Sequence, residues 1–555
     1  MTALGMADYI AIGVYMALVA GIGVVMGAWI RDVGAYFKGG GTLPWPAAAV
    51  SNYMSMFSTF IFVAYAGMAY DYGLVALTLI WCMVPPALFA AAVIAKCWCR
   101  AGVMSPVEYM ETRFNAPVRQ FFSWSGIVFR LMDNMVRLYA IGLFISAATP
   151  LSIDQAILMA GVVVTLYTVV GGLWAVVLSD LLQFVVLLVA VLILVPLSLH
   201  EAGGLAAMRA AVPEHFTFFQ GPRGAPLFLI VYYIMVLIKY NGNWSFIQRF
   251  YSVRDEAAGR KAALVMALLF FVSPIFFLLP AIAMRVIDPA LENSEMAYVA
   301  IALRVLPPGI MGLLLAAMFA ATMSAVDSDF NVTAGVFTRD VYQRLLRPTP
   351  SRRELMFAGR AATFACGVVV VGGALFVGHF GGAFQANMII TGLAIPLSVP
   401  LVLGVLTRRA RPWGALVSVG VGVPVGFYMN LHDDISWPVA TGTVIAVSVG
   451  TLLLSGLFPS RDPAYRQRVN VFFKRLDTPI PEGEKPSPNP RFEVAMRQVF
   501  ALALATTGVL FAGLGLLSVH DRSGVLSAAA GGVCLALAAV VFFRTKRLEP
   551  VDGRG

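Results

Sequence analysis

Apolar runs long enough to cross a bilayer recur along the whole chain, separated by short polar segments. The pattern predicts about fifteen transmembrane helices, near residues 6–30, 44–70, 74–98, 117–148, 153–173, 176–199, 226–249, 262–287, 307–342, 356–378, 383–407, 412–431, 438–458, 497–519 and 524–543. Numbered in this order, the spans leave one extended polar stretch, Pro459 to Arg497, whose Pro and charge content predicts a cytoplasmic linker before a terminal helix pair. The fold class is all-α and integral to the membrane. Hydrophobic residues make up 59% of the 555 and charged residues only 12%, which leaves no room for a soluble catalytic domain. The HExxH, GxxxxGK[ST] and GxSxG spacings of metalloproteases, nucleotide hydrolases and esterases are absent, so an enzyme is not expected.

Three spans depart from the apolar pattern. In the second, Ser51, Asn52, Ser55, Ser58 and Thr59 run polar groups through mid-helix; in the seventh, Lys239-Tyr240-Asn241-Gly242-Asn243-Trp244-Ser245 does the same. They lie five spans apart. Paired interruptions at that offset predict two inverted five-helix repeats with a substrate and ion site where the breaks meet. The ninth span reads LLLAAMFAATMSAVDSDFN over Leu313 to Asn331. Two carboxylates at membrane depth are costly and usually line a wet cavity or hold an ion. At about 100° per residue, Ser324, Asp327 and Ser328 share one face and Asp329 points elsewhere. That face offers hard oxygen donors suited to an alkali cation.

The net charge of +10 comes from Lys and Arg gathered on one side of the spans. Lys96, Arg100, Arg113 and Arg119 follow the third span, Arg249, Arg254, Arg260 and Lys261 the seventh, and Arg339, Arg344, Arg347, Arg352 and Arg353 the ninth. The opposite loops carry Asp288, Glu292 and Glu295, or His432, Asp433 and Asp434. The positive-inside rule then places the N-terminus outside and the C-terminus in the cytoplasm of a plasma (cell inner) membrane protein. No nucleic-acid partner is needed to explain the charge. No Lys or Arg precedes Arg31, so a cleaved signal peptide is not expected, and five scattered cysteines make no disulfide framework.

The stretch YTVVGGLWAVVLSDLLQ from Tyr167 resembles the signature of the sodium:solute symporter family. Further motifs fall in the family's order: YFKGGGTLPW at Tyr36, SPVEYMETRF at Ser105, FIQRFYSVRDEAAGR at Phe246 and TRDVYQRL at Thr338. The resemblance runs from about residue 6 to 460 and implies a LeuT-like core. On that basis residues 1–43 form an extra helix and loop, 44–410 the inverted-repeat core, 411–458 two extra helices, 459–496 the linker, and 497–555 the terminal pair and tail.

The family moves a small polar solute inward with Na⁺. The resemblance implies a sodium site built from the carbonyls of Met54 and Phe57 with Ala321, Ser324 and Ala325, where Ala325 replaces a hydroxyl and leaves the site under-liganded. It implies a second site at Asp180, Ser324, Asp327 and Ser328. Two carboxylates on one cavity repel unless a cation sits between them, and otherwise one takes a proton. Proton-coupled or loosely coupled transport is therefore the alternative to Na⁺ symport, and a transporter-like sensor is the weakest reading. No organic cofactor is implied.

For the solute, Ile80 stands where sugar-carrying relatives have a polar acid. Asp133, near a position where carboxylate-binding relatives are basic, hints at an amine-bearing or zwitterionic solute; an intrahelical pair with Arg137 is the plainer reading. Lys239 would meet a solute carboxylate, form a gate salt bridge or snorkel to an interface. Ser58, Thr59, Tyr240 and Asn243 complete the solute and gate candidates.

Overall fold

Helices begin where a polar residue stands just before an apolar run. Asn115, Ser152, Asp255 and Ser351 each accept a backbone N–H from the first turn that follows, with reciprocal boxes to Gln155 and Glu354. The computed structural model describes residues 4–29, 38–219, 221, 223–380, 382–430, 432, 434–486, 490–518 and 520–546. Among these the chain is helical with no strand. Tyr36, Phe37, Asp433 and Arg547, which figure in the motif and charge patterns, lie outside the described residues.

Among the described residues ten helices are long and apolar enough to cross a bilayer, and up to thirteen spans result if each bent pair counts as one. The two further segments of the predicted fifteen contain shorter apolar helices, Met6–Val19 and Ile153–Val169. The fifth and sixth spans differ from expectation in one respect: helical hydrogen bonding runs on from Ile153 to Glu201.

Both predicted interruptions are breaks. Trp45–Met56 and Ile61–Tyr72 meet at 60°, and Pro226–Asn241 and Trp244–Ser252 at 50°. Phe57 is extended between the first two. Asn243 closes the second break by capping the Phe246 N–H at 3.1 Å. The chain entering the one span and leaving the other also touch, through Leu43 N–H to the Ser252 carbonyl at 3.0 Å. A third bend, 51° between Gly382–Gly392 and Ala394–Gly404, was not anticipated. Pro396 explains it, since its ring displaces the carbonyl four residues back.

The ninth span, Ile310–Val336, is buried along its whole length and so forms the centre of the bundle. Its first turn is capped from the first span: the buried Asp8 carboxylate accepts the N–H groups of Gly309 and Gly312, each at 2.7 Å. The terminal helices Pro490–Leu517 and Arg522–Lys546 pack on each other at Gly508, Gly515, Gly524 and Gly531, where a Cβ would meet backbone atoms across the pair.

The polar stretch after the thirteenth span is not simply a linker. Asp462 caps the helix Pro463–Asp477, which buries Tyr465, Val469, Phe472, Phe473 and Leu476 on one stripe. Two basic residues assigned to loops are also fully buried. Arg249 turns into the bundle, and Arg113 donates to the carbonyls of Gly404, Thr407 and Ala410 and to the Tyr465 hydroxyl. Arg113→Ala takes the guanidinium away from the Gly404 and Thr407 carbonyls, with Ala410 keeping the Tyr465 hydroxyl, a loss of about 1–3 kcal/mol. It should lower the thermal unfolding midpoint of the detergent-purified protein by several degrees, with Arg113→Lys recovering part of it. An unchanged midpoint for Arg113→Ala would show that the clamp is dispensable.

Candidate functional site

The polar residues of the second, sixth, seventh and ninth spans converge in the bundle interior. Asp180 accepts hydrogen bonds from Ser324 Oγ on one oxygen and from Ser51 Oγ, at 2.5 Å, on the other. Ser328 Oγ lies 3.0 Å from Ser55 Oγ and 3.5 Å from Asp327 Oδ1. The guanidinium of Arg249 donates to Ser328 Oγ at 2.8 Å and to Ser51 Oγ, and lies 3.8 Å from Asp180. Asp180, Asp327 and Arg249 are all fully buried. This cluster thus has two carboxylates and one cation. Asp327 Oδ2 is buried without a partner, and so are both amide atoms of Gln183, one turn on from Asp180. Converging oxygen donors with orphaned polar atoms among them suit an ion or water.

The break of the second span is pinned to the ninth. Thr59 N–H donates to Thr322 Oγ1 at 2.9 Å, and Thr59 Oγ1 donates to the Met318 carbonyl at 2.5 Å. With Ser55 on Ser328, these contacts hold the Met54–Phe57 turn against the helix that carries Ala321 and Ala325, all four residues being buried. Met54 O already accepts the Phe57 N–H at 3.1 Å. Thr59 is therefore a helix-to-helix tie and does not line the cavity where most of the other solute candidates gather.

That cavity, about 50 Å³, is bordered by Ser58, Tyr240 and Asn243 together with Asp133, Arg137 and Lys239. Lys239 donates to Thr391 Oγ1 at 2.6 Å and lies 3.2 Å from Asp133, whose other oxygen is 3.0 Å from Arg137. Lys239 does not snorkel. Both the intrahelical pair and the cross-span salt bridge exist, so Asp133 is not free for a solute amine. A second cavity, about 40 Å³, lies beyond the pair toward Trp244 and Leu401, and Asp133 and Lys239 border both. Each has room for only a few waters. Ile80 lines neither cavity; it is fully buried in the core a turn before Met83, which does face the first.

Asp329, on its separate face, reaches the fourth span. It lies 3.5 Å from Arg130, 3.3 Å from Asn134 and 3.7 Å from Arg137, and Ser245 Oγ stands 2.8 Å away. Sequence reasoning missed Arg249, Thr322, Asn387 and Thr391 as site residues. Their signals were local: Asn241, Ser245 and Arg249 recur at helical spacing, and Asn387 and Thr391 are an isolated polar pair four apart in an apolar run.

The motif segments have structural reasons of their own. Ser105 donates to Asp340 at 2.9 Å, and Arg119 Nε donates to its other oxygen at 2.6 Å, tying the loop after the third span to the end of the ninth. Gln248 bonds Asn331 at 3.1 Å beside Arg249.

The chain is similar to known transporters. The sodium/sialic acid symporter NanT of Aliivibrio fischeri is 25% identical over 481 residues, covering 81% of this chain and 93% of its own. A sodium/glucose cotransporter of Vibrio parahaemolyticus is 24% identical over 465 residues, covering 76% and 85%. A solved Na⁺-coupled sialic acid symporter in a substrate-bound outward-open state superposes with a TM-score of 0.73 at 22% identity, over 82% of this chain and 98% of that one, a likeness of fold. The sodium:solute symporter family model matches residues 36–422, a stretch that takes in both broken spans and the whole ninth span, and the chain belongs to that family of transporters.

Proposed function

We propose that the chain carries a small polar solute into the cell together with Na⁺ by alternating access, with Asp180, Ser324, Asp327 and Ser328 holding the cation. The observation that carries this is the charge of the buried cluster: Asp180 and Asp327 face a single Arg249, and one Asp327 oxygen has no partner. One monovalent cation brings the cluster to neutrality, and hard oxygens suit Na⁺. The carbonyls of Met54 and Phe57 with Ala321, Ser324 and Ala325 form a neighbouring, under-liganded site. The solute occupies the cavity between Ser58, Asp133, Lys239, Tyr240 and Asn243, and opening the Asp133–Lys239 pair joins the two cavities that it separates. A proton on Asp327 would neutralise the same orphaned carboxylate, which makes proton coupling the competing reading.

Asp327→Asn removes one charge at nearly constant volume. The Na⁺ concentration for half-maximal uptake should rise about tenfold or more, equivalent to roughly 1.4 kcal/mol of lost binding. Ala325→Ser adds a donor to the neighbouring site and should lower that concentration or steepen the Na⁺ dependence. If Asp327→Asn abolishes a pH dependence and leaves Na⁺ dependence as it was, the coupling ion is a proton.

The orientation proposed from the basic loops puts the N-terminus and Glu292 outside and the segment around Lys485 in the cytoplasm. In a Cys-free background, an impermeant thiol reagent applied to intact cells should label Glu292→Cys and spare Lys485→Cys. The opposite pattern would invert the topology.

A further inference from the structure

The ion pairs beside the solute cavity form one chain of alternating charge. Arg130 lies 3.5 Å from Asp329, Asp329 lies 3.7 Å from Arg137, Arg137 lies 3.0 Å from Asp133, and Asp133 lies 3.2 Å from Lys239. Three cations meet two carboxylates. The other polar contacts of those cations are neutral: Arg130 to the Gly242 carbonyl, Arg137 to the Ser55 carbonyl, and Lys239 to Asn387 and Thr391. This chain therefore carries one uncompensated positive charge at membrane depth.

The adjoining cluster carries the opposite excess, since Asp180 and Asp327 face Arg249 alone. Ser245 joins the two groups: its hydroxyl stands at Asp329, and its carbonyl accepts from Arg249 at 3.4 Å. Across both groups, four carboxylates balance four cations. A cation entering the acidic cluster alone would leave the interior positive, and an anion entering beside Lys239 alone would leave it negative. Either state is penalised where water is scarce, and the doubly loaded state is not.

We infer that the transported solute is a monoanion, held where Asp133, Arg137 and Lys239 separate the two cavities and moved together with one Na⁺. The inference rests on reading this cavity as the solute site. The anion competes with Asp133 for Lys239 and Arg137, so binding loosens the pair that closes the passage. Coupling then has an electrostatic origin, because each ligand offsets the charge that the other introduces.

Na⁺ binding to the purified full-length chain tests this without a known solute. Lys239→Gln removes the surplus positive charge at a residue that touches no group of the acidic cluster, so the solute-free protein should bind Na⁺ several-fold more tightly, and Lys239→Arg should restore the wild-type affinity. Arg130→Gln should act in the same direction if Lys239→Gln does not fold. Unchanged or weaker Na⁺ binding in a folded variant overturns the inference. In parallel, the Na⁺ affinity of the unmutated protein is measured with acetate, lactate, gluconate or iodide, with their neutral amide or alcohol analogues, and with glycine, alanine or betaine. Tightening by an anion supports the inference, and tightening by only neutral or zwitterionic members overturns it. If the protein binds no Na⁺ and Asp327→Asn changes nothing, it is the proposed coupling ion that fails. Normal Na⁺ binding that is indifferent to Lys239 and to anions sinks only the monoanion.

Discussion

Everything in the interior of this bundle answers to the cost of holding charge away from water. Asp133, Asp180 and Asp329 are each tied by ion pairs or hydroxyl bonds to another span, while Asp327 is bonded only to its neighbour Ser328, whose hydroxyl meets Ser55 of the second span. Because a buried carboxylate is tolerable only when it is paired, these contacts decide which helix faces meet and at what height. The second, fourth, sixth, seventh and ninth spans share one polar seam for this reason, while the apolar surfaces around it could pack in many registers.

The broken helices make the seam possible. A continuous helix bonds its own carbonyls and N–H groups; the turns at Phe57 and Gly242 free backbone groups at membrane depth, and a ninth-span hydroxyl, Thr322, meets one at the first break while Arg130 of the fourth span meets the Gly242 carbonyl at the second. Thr59, Thr322, Ser55 and Ser328 serve as pins on either side of the Met54–Phe57 turn. A movement of the second span against the ninth therefore has to exchange hydrogen bonds, which gives the Met54–Phe57 turn and the Ser324–Ser328 stripe a mechanical connection. Arg249 adds an electrostatic one, since it belongs to the seventh span and bonds hydroxyls of the second and the ninth.

The ends of the bundle are held by a different device, long cations buried against carbonyls. Arg113 clamps the loop after the eleventh span to the helix Pro463–Asp477, and Arg100 donates to the Leu476 carbonyl at the other end of that helix. The segment after the thirteenth span is thereby part of the cytoplasmic-side architecture under the proposed topology. Its prolines and charges conceal this, because Pro463 is simply the first residue of a capped helix and the charges flank its buried apolar stripe, with Arg475 and Asp477 reaching Arg100 and Arg408.

Span positions, the two breaks and the presence of charge in the ninth span were legible in the sequence, because each depends on composition within one turn or one membrane thickness. Helical phase alone separated Asp327 from Asp329, and the structure turns them to different neighbours. What a residue meets across the bundle was not legible. Arg249 reads as one more loop cation, yet it is buried among Ser51, Asp180 and Ser328; for Asp133 the sequence offers an intrahelical pair with Arg137 or a solute amine, and the structure adds Lys239, from more than a hundred residues away, to the pair. Ile80 and Thr59 stand close in sequence to Met83 and Ser58 of the cavity lining, but packing against other helices turns them from it. Local chemistry is written in spacing along one helix, whereas pairing and charge balance are sums over several helices and exist only once those helices are assembled.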